Sequence, residues 1–363
     1  MNLIAISEWL GESTTMALGG LLVGMLFGAM AQKSRFCLRS AAIEFGHGKF
    51  GSKVAVWVLV FSTAVAATQA AVLTGLLDVG QVRQLATTGS ISGAIIGGLL
   101  FGVGMILARG CASRLLVLSA TGNLRALMAG LILTIVAQAS LRGGLAPARE
   151  YLSSLWMVEG GEARNLLALG HVGVEVGVLL GLVWFAVGLW LARRNGVPKS
   201  IGLSAVGVGA AVALGWIFTY QMSLIAFDPV EIKSVSFTGP SADTLMGLIS
   251  SRSLPIGFDV GLVPGVFVGS FFASVIAGEF KLQSFDAATG TLRYIIGACL
   301  MGFGGMLAGG CAVGAGVTGA AVFAVTAWFA LTSMWAAAII TDHALDRFHW
   351  FEAQPADAVR LQN

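Results

Sequence analysis

Apolar residues in this chain come in long unbroken runs rather than in alternation. Nine such runs cover residues 14–32, 54–77, 91–108, 126–141, 171–192, 201–227, 257–278, 293–308 and 319–341. About 20 apolar residues carry an α-helix across the hydrocarbon of a bilayer. Strands would alternate, and they cross only as closed barrels, because lipid offers the backbone no hydrogen-bond partner. The runs therefore predict an all-α polytopic membrane protein with about nine transmembrane helices. The third, fourth and eighth runs are short for a full crossing, which predicts short broken or re-entrant helices as well. Residues 1–363 read as a single integral membrane domain that ends in a polar tail, 342–363.

The polar punctuation orients these helices. Lys33, Arg35, Arg39, Lys49 and Lys53 follow the first run, and Arg193, Arg194 and Lys199 separate the fifth from the sixth. Basic clusters mark the cytoplasmic side, so the N-terminus and the stretches 142–165 and 228–255 are expected outside. The residues before the first run carry Glu8 and Glu12 and no basic segment, which argues for a retained helix and against a cleaved signal. Trp9, Trp57, Trp156, Trp216, Trp335 and Trp350 lie near run ends and fit an aromatic belt.

Composition narrows the function classes. Hydrophobic residues make up 56% of the chain and charged residues 11%, against roughly a quarter charged in a soluble domain. An aqueous fold is excluded. The net charge of +3 is scattered and gives no footprint for nucleic acid. No phosphate-binding Gly-x-x-x-x-Gly-Lys-Ser/Thr loop is present, so intrinsic ATP hydrolysis is not expected.

The strongest signal is self-similarity. Residues 97–112 (GGLLFGVGMILARGCA) recur at 297–312 (GACLMGFGGMLAGGCA), with nine of sixteen positions identical at a constant offset of 200. This predicts two pseudo-symmetric halves, 14–192 and 201–341. Four runs separate the third from the eighth, so the two copies should cross in opposite directions. Inverted halves place a substrate site near the midplane, where the repeats meet. The second copy continues through Val-Gly-Ala-Gly-Val-Thr-Gly to residue 319, a stretch too glycine-rich for a lipid-facing helix. Broken helices at membrane depth need protein or water around them, and their exposed N–H groups favour an anion. Tight packing through small residues would give the same glycine content. It leaves the cysteine at each break unexplained.

Four cysteines are present: Cys37, Cys111, Cys299 and Cys311. None forms a CxxC pair, and His47, His171, His343 and His349 lie near run ends and away from them, so no metal site is expected. Cys37 sits among Lys33, Arg35 and Arg39. Cys111 sits between Arg109 and Arg114, with Arg125 beyond. Nearby cations favour a thiolate and attract anions. Cys311 has only small neighbours, and Cys299, inside an apolar run, reads as a small core hydrophobe. A packing role or a disulfide between two that meet in space remains open for the other three. The arginines either attract an anion or form an interfacial basic cluster. Glu279 and Lys281 after the seventh run either pair at a helix end or gate an exit. Gln69 and Gln138 are expected to bond neighbouring helices.

Phe36-Cys37 after a glycine-rich first run, Arg109-Gly-Cys-Ala112, Ser236-Phe-Thr-Gly-Pro-Ser241 and Gly309-Gly-Cys-Ala312, in this order, resemble the YeeE/YedE family of sulphur-transport (TsuA-type) membrane proteins. The resemblance extends from about Gly19 to Asp342. It implies a bacterial inner-membrane protein with an hourglass-like helical fold that takes up thiosulfate. By motif, Cys37, Cys111 and Cys311 would line its axis and bind the substrate. No cofactor is implied. Some relatives carry or neighbour a small TusA-like sulphur-carrier domain. Only about twenty polar residues follow Thr341 here, so a separate carrier on the cytoplasmic side is the partner the resemblance implies.

Thiosulfate is a dianion with a soft terminal sulphur. A neutral thiol offers it a weak S–H donor, and conduction needs several sites weak enough to release it. The expectation is a hand-over of intact thiosulfate from an entrance at Cys311 or Cys37, through Cys111, to the remaining cysteine. Two alternatives differ in chemistry: transport of another sulphur or selenium species, and a membrane sulphurtransferase that forms a cysteine persulfide. No His or carboxylate stands beside a cysteine as a base, so an enzyme is not expected.

Overall fold

The computed structural model describes residues 3–250, 256–283 and 291–348; His349, Trp350 and the end of the outer stretch at 251–255 lie outside the described residues. A leading helix α1 (Leu3–Leu10) precedes α2 (Glu12–Ser34), α3 (Leu38–Gly46) and α4 (Ser52–Leu73). A one-turn helix α5 (Arg83–Ala86) leads into α6 (Ile91–Leu107), α7 (Ala112–Ala120) and α8 (Leu124–Arg142). The connection beyond carries α9 (Ala146–Ser154) and α10 (Leu166–Leu169). Then follow α11 (Val174–Arg194), α12 (Lys199–Ser223), α13 (Thr238–Ser250), α14 (Phe258–Ile276) and α15 (Thr291–Leu307). A π-helix (Ala312–Thr318), a single turn α16 (Gly319–Ala321) and α17 (Val325–Phe348) complete the order.

Among the described residues, nine helices or broken helices are long and apolar enough to cross a membrane, and each overlaps a predicted run. Three of them, Glu12–Gly46, Ile91–Ala120 and Thr291–Ala321, contain an interruption. The short third and eighth runs are thus the first parts of longer, broken spans. The stretch too glycine-rich to face lipid is wound as the π-helix, and every residue of it is buried. Its glycines suit this because no side chain has to fit between neighbours: a Cβ on Gly314 would collide with Ser236. Past residue 341 the chain stays helical to Phe348, inside the segment expected as tail. Trp57 and Trp216 do not join an interfacial belt, since both are buried in the core.

Polar side chains set where helices begin. Ser90 accepts the Gly93 N–H at 2.8 Å at the start of α6, and Asn123 accepts the Ala126 N–H at 3.0 Å at the start of α8. Each satisfies one of the N–H groups that a helix start leaves open. A two-residue antiparallel ladder, Gly89–Ser90 with Met157–Val158, ties the start of α6 to the connection after α9.

Backbones pack almost directly on one another. Along α2, Gly20, Gly24 and Gly28 face Phe258, Leu262 and Val266 of α14, while Gly261, Gly265 and Gly269 face Ala17, Leu21 and Met25 in return. Both helices carry glycine every fourth residue on the shared face, the spacing that lets helices approach in a membrane. The same device joins α6 to α15. A Cβ on Gly97 would lie 2.5 Å from Gly304 O, and one on Gly104 would lie 2.6 Å from Gly297 O. Residue 97 meets 304 and residue 104 meets 297, so the two copies of the repeat run antiparallel. Other packing pairs come in matched sets: α2 on α14 and α12 on α4, α3 on α17 and α13 on α8, α6 on α17 and α15 on α8.

Gly104→Leu is expected to lower stability by about 1–3 kcal/mol, the usual cost of overpacking a close contact. Thermal unfolding in detergent, followed by gel filtration, reads this as a clear drop in Tm. An unchanged Tm would show that α6 and α15 do not depend on backbone contact.

Candidate functional site

Three breaks share one local geometry. A long helix ends, a residue two positions before the cysteine takes the left-handed conformation, and the cysteine becomes the extended N-cap of the next helix. The left-handed residues are Arg35 (φ 53°), Arg109 (φ 55°) and Gly309 (φ 79°). The N-caps are Cys37 before α3, Cys111 before α7 and Cys311 before the π-helix. Arginine in this region costs about 1–2 kcal/mol, so two breaks hold strain that glycine would relieve. Each thiol stands at the first turn of a helix, where N–H groups lack intrahelical partners. Cys311 Sγ accepts one of them, from Gly314, at 3.4 Å. A fourth helix start follows at the same offset of 200: α13 begins at Thr238, and its preceding residue is the buried Phe237 where α3 has Cys37.

The structure brings Cys37 and Cys111 together. Their thiols lie close enough to interact, and Cys111 Sγ lies 3.3 Å from Ser113 Oγ. Arg114 lies close enough to interact with both. Both thiols and Cys311 are buried and free of disulfides. Cys299 is only half-buried on α15, so it is less of a core residue than its apolar setting predicts. Arg109 is exposed in its left-handed turn, and Arg125 is half-buried in the first turn of α8. Glu279 pairs with Arg35 at 3.0 Å and accepts the Gln32 amide at 3.0 Å, which ties the end of α14 to the end of α2. Lys281 instead donates its backbone N–H to Thr121 O. Gln69 bonds a neighbouring segment as expected, donating to Ala321 O at 2.7 Å.

One supporting residue was missed in the sequence. Arg293 donates Nε to Leu107 O at 3.1 Å and Nη2 to Ile106 O at 3.3 Å. It reaches the Leu107 carbonyl at the end of α6 and adds a second donor to Ile106 O, which also accepts the Arg109 N–H at 3.3 Å, just before Cys111. Its only sequence signal was a cation at the very start of the eighth run. At the other end of the pair, Gly93 of α6 faces Leu307 O of α15. The breaks that lead to Cys111 and Cys311 therefore lie at opposite ends of the antiparallel α6/α15 pair.

The Cys311 break opens on a cavity of about 280 Å³. Gly309, Gly310 and Gly314 line it, and Arg83, Arg149 and Lys233 bring cations to it beside the carboxylates Glu231, Asp243 and Asp259. Lys233 Nζ pairs with Asp259 at 2.5 Å and with Glu231 at 3.2 Å, and Arg83 pairs with Glu231 at 3.3 Å. Burial pulls the Lys233 ammonium down, but Asp259 and Glu231 outweigh it and hold its pKa above the ordinary 10.5. Burial pushes the Glu231 carboxyl up, while Arg83 and Lys233 outweigh that and hold it below 4.5. Sequence reading singled out none of these wall residues. They come from three separate connections, and no local motif announces that they meet.

The sulphur-transport family description matches residues 33–340, which include all three breaks. The chain belongs to the sulphur-transport family. It is similar to the thiosulfate transporter TsuA of Escherichia coli K12, at 28% identity over 88% of this chain and 92% of that protein. The thiosulfate transporter TsuA of Spirochaeta thermophila is 27% identical over 86% of this chain and 93% of its own. Nine apolar spans among the described residues and this family membership make the chain a multi-pass protein of the inner membrane.

In this family member the wall around Glu231 should respond to acid. A carboxyl held below its usual pKa contributes stability above that value and loses it as pH falls. Thermal stability is therefore expected to fall as pH drops below 4.5, and Glu231→Gln should show a smaller fall. Parallel pH profiles for the two proteins would overturn this assignment.

Proposed function

We propose that the chain imports thiosulfate and passes it intact from Cys311 to Cys111 and Cys37. The observation that carries this reading is the repeated placement of a buried thiol at a helix start, once beneath a charged cavity and twice at the opposite end of the α6/α15 pair. The relatives' names supply the substrate. Moving a dianion out of water costs many kcal/mol unless dipoles replace its hydration. Helix-start N–H groups supply such dipoles at each break. Arg83, Arg149 and Lys233 attract the anion, but Glu231 and Asp259 already share two of these cations, which keeps capture reversible. Thiols beyond the cavity give weak, soft sites suited to release.

In this reading 14–192 and 201–341 form inverted halves, supported by the antiparallel repeat and the matched packing pairs; α11, which packs on α4, is an addition without a counterpart. Cys311 is the entrance, because the charged cavity lies there. Glu279 with Arg35 and Gln32 forms the inner latch beside Cys37. That pair is exposed, so it contributes at most about 1 kcal/mol and opens readily. Arg109, Arg114 and Arg125 draw the anion inward past Cys111. A separate TusA-like carrier would receive it at this end, where Lys33, Arg35, Arg39 and Lys49 cluster.

Arg114 beside two neighbouring thiols favours a second reading, a sulphurtransferase. There a thiolate attacks the sulfane sulphur, the S–S bond of thiosulfate breaks, and sulphite leaves with its electron pair. Intact-protein mass after exposure to thiosulfate separates the two: one added sulphur supports the persulfide, and an unchanged mass supports passage.

Uptake of labelled thiosulfate into proteoliposomes tests the main reading. Cys111→Ala is expected to lower the rate roughly tenfold or more, equivalent to about 1.4 kcal/mol of barrier. Cys111→Ser should also be impaired, since oxygen is the harder and smaller atom. Excess sulphate should compete poorly. Wild-type rates in both variants, or full competition by sulphate, would overturn the thiol path.

A further inference from the structure

Away from the thiols, the end of α3 meets the end of α17. His47 closes α3 as its C-cap. Its Nε2 lies 3.1 Å from Asp342 Oδ2 and 3.7 Å from Asp346 Oδ2. One ligand atom from each of the three lies within 4.8 Å of the others. Asp342 and Asp346 are four residues apart, so they share one face of α17. Asp342 is buried, while His47 and Asp346 are exposed, which gives the cluster a protein floor and an open side to water.

The imidazoles are held in place. The ring of His343 stacks on that of His47 with centroids 5.0 Å apart, and His343 Nδ1 bonds Ile339 O at 2.9 Å. An ion pair would need His47 and one carboxylate. A second carboxylate aimed at the same nitrogen adds repulsion along the helix, and a cation among the three removes it. Four-coordinate zinc with bonds of about 2.0–2.1 Å sets its ligand atoms about 3.3 Å apart, and the two distances to His47 bracket that spacing. A nitrogen with two carboxylate oxygens suits zinc-class transition ions; calcium takes six or more oxygens.

We propose that His47, Asp342 and Asp346 form a binding site for a zinc-class divalent cation, with water completing the coordination. The ligands are 295 residues apart in sequence, which is why no local Cys/His spacing predicted a site. Occupancy would bolt α3 to α17. The opposite end of α3 is capped by Cys37, nine helical residues or about 13 Å away, so the ion braces the helix that presents this thiol.

The test uses the full chain in detergent and does not depend on transport. After chelator treatment, Zn²⁺ is titrated by calorimetry into the wild type, His47→Gln and Asp346→Asn, each checked by gel filtration. One equivalent should bind per wild-type chain, and each variant should weaken it roughly tenfold or more. Asp346 is exposed, so its variant keeps the fold. Co²⁺ substitution should give ligand-field absorption without a sulphur-to-metal charge-transfer band. Unchanged binding in both variants, a strong charge-transfer band, or no saturable binding to folded wild type would each overturn the site.

Discussion

Everything in this molecule answers to one constraint: a peptide group out of reach of water must find its partner within the protein. An unbroken helix meets that demand by itself. A broken one does not, and three of the spans here are broken. Each break has a local remedy. Arg293 reaches across from α15 to take the last carbonyls of α6. Gln69 donates to Ala321 O beyond the π-helix, and Thr318 donates to Val235 O at 2.6 Å. The glycine faces bring neighbouring backbones close enough for such remedies to reach.

The two halves use the same scaffold unequally. At one end the break opens on a cavity where Arg83, Lys233, Glu231 and Asp259 are already paired with each other. At the other, two thiols lie near each other and near Arg114, beside the exposed Arg35–Glu279 pair. The difference lies in side chains: Gly309 stands where Arg109 does, and Phe237 where Cys37 does. Pseudo-symmetry supplies a frame, and substitution within it makes the two ends differ.

Much of this was legible in the sequence, and the reasons are physical. Hydrocarbon thickness fixes run length, so all nine spans were readable as runs. The repeated Gly-Cys-Ala marked two breaks, because a glycine cluster ends a helix. The break at Cys37 was not legible as a third copy: Arg35 takes a left-handed turn that arginine rarely adopts, and no glycine announces it. The glycine-rich stretch was legible as a segment that avoids lipid, but not as a π-helix, since glycine content signals weak helix propensity and burial on every side overrides it. Arg293, Lys233 and Asp259 act through partners distant in sequence, and single-chain patterns carry no information on such pairs. His47 was seen only as a residue near a run end, because its neighbours come from the far end of α17.

Phe237 has one more consequence. Had the fourth helix start carried a thiol, the path would be a palindrome, with equal stations on both sides of the waist. On the proposed route, a phenyl ring there leaves one soft site toward the charged cavity and two toward the Arg35–Glu279 pair. Such a path cannot rectify flow, because equilibrium alone decides net direction. It does set where a travelling ion waits. On the proposed route the dwell time is weighted to the Cys37 end, so the substrate pauses beside whatever removes it, and removal becomes the step that governs throughput.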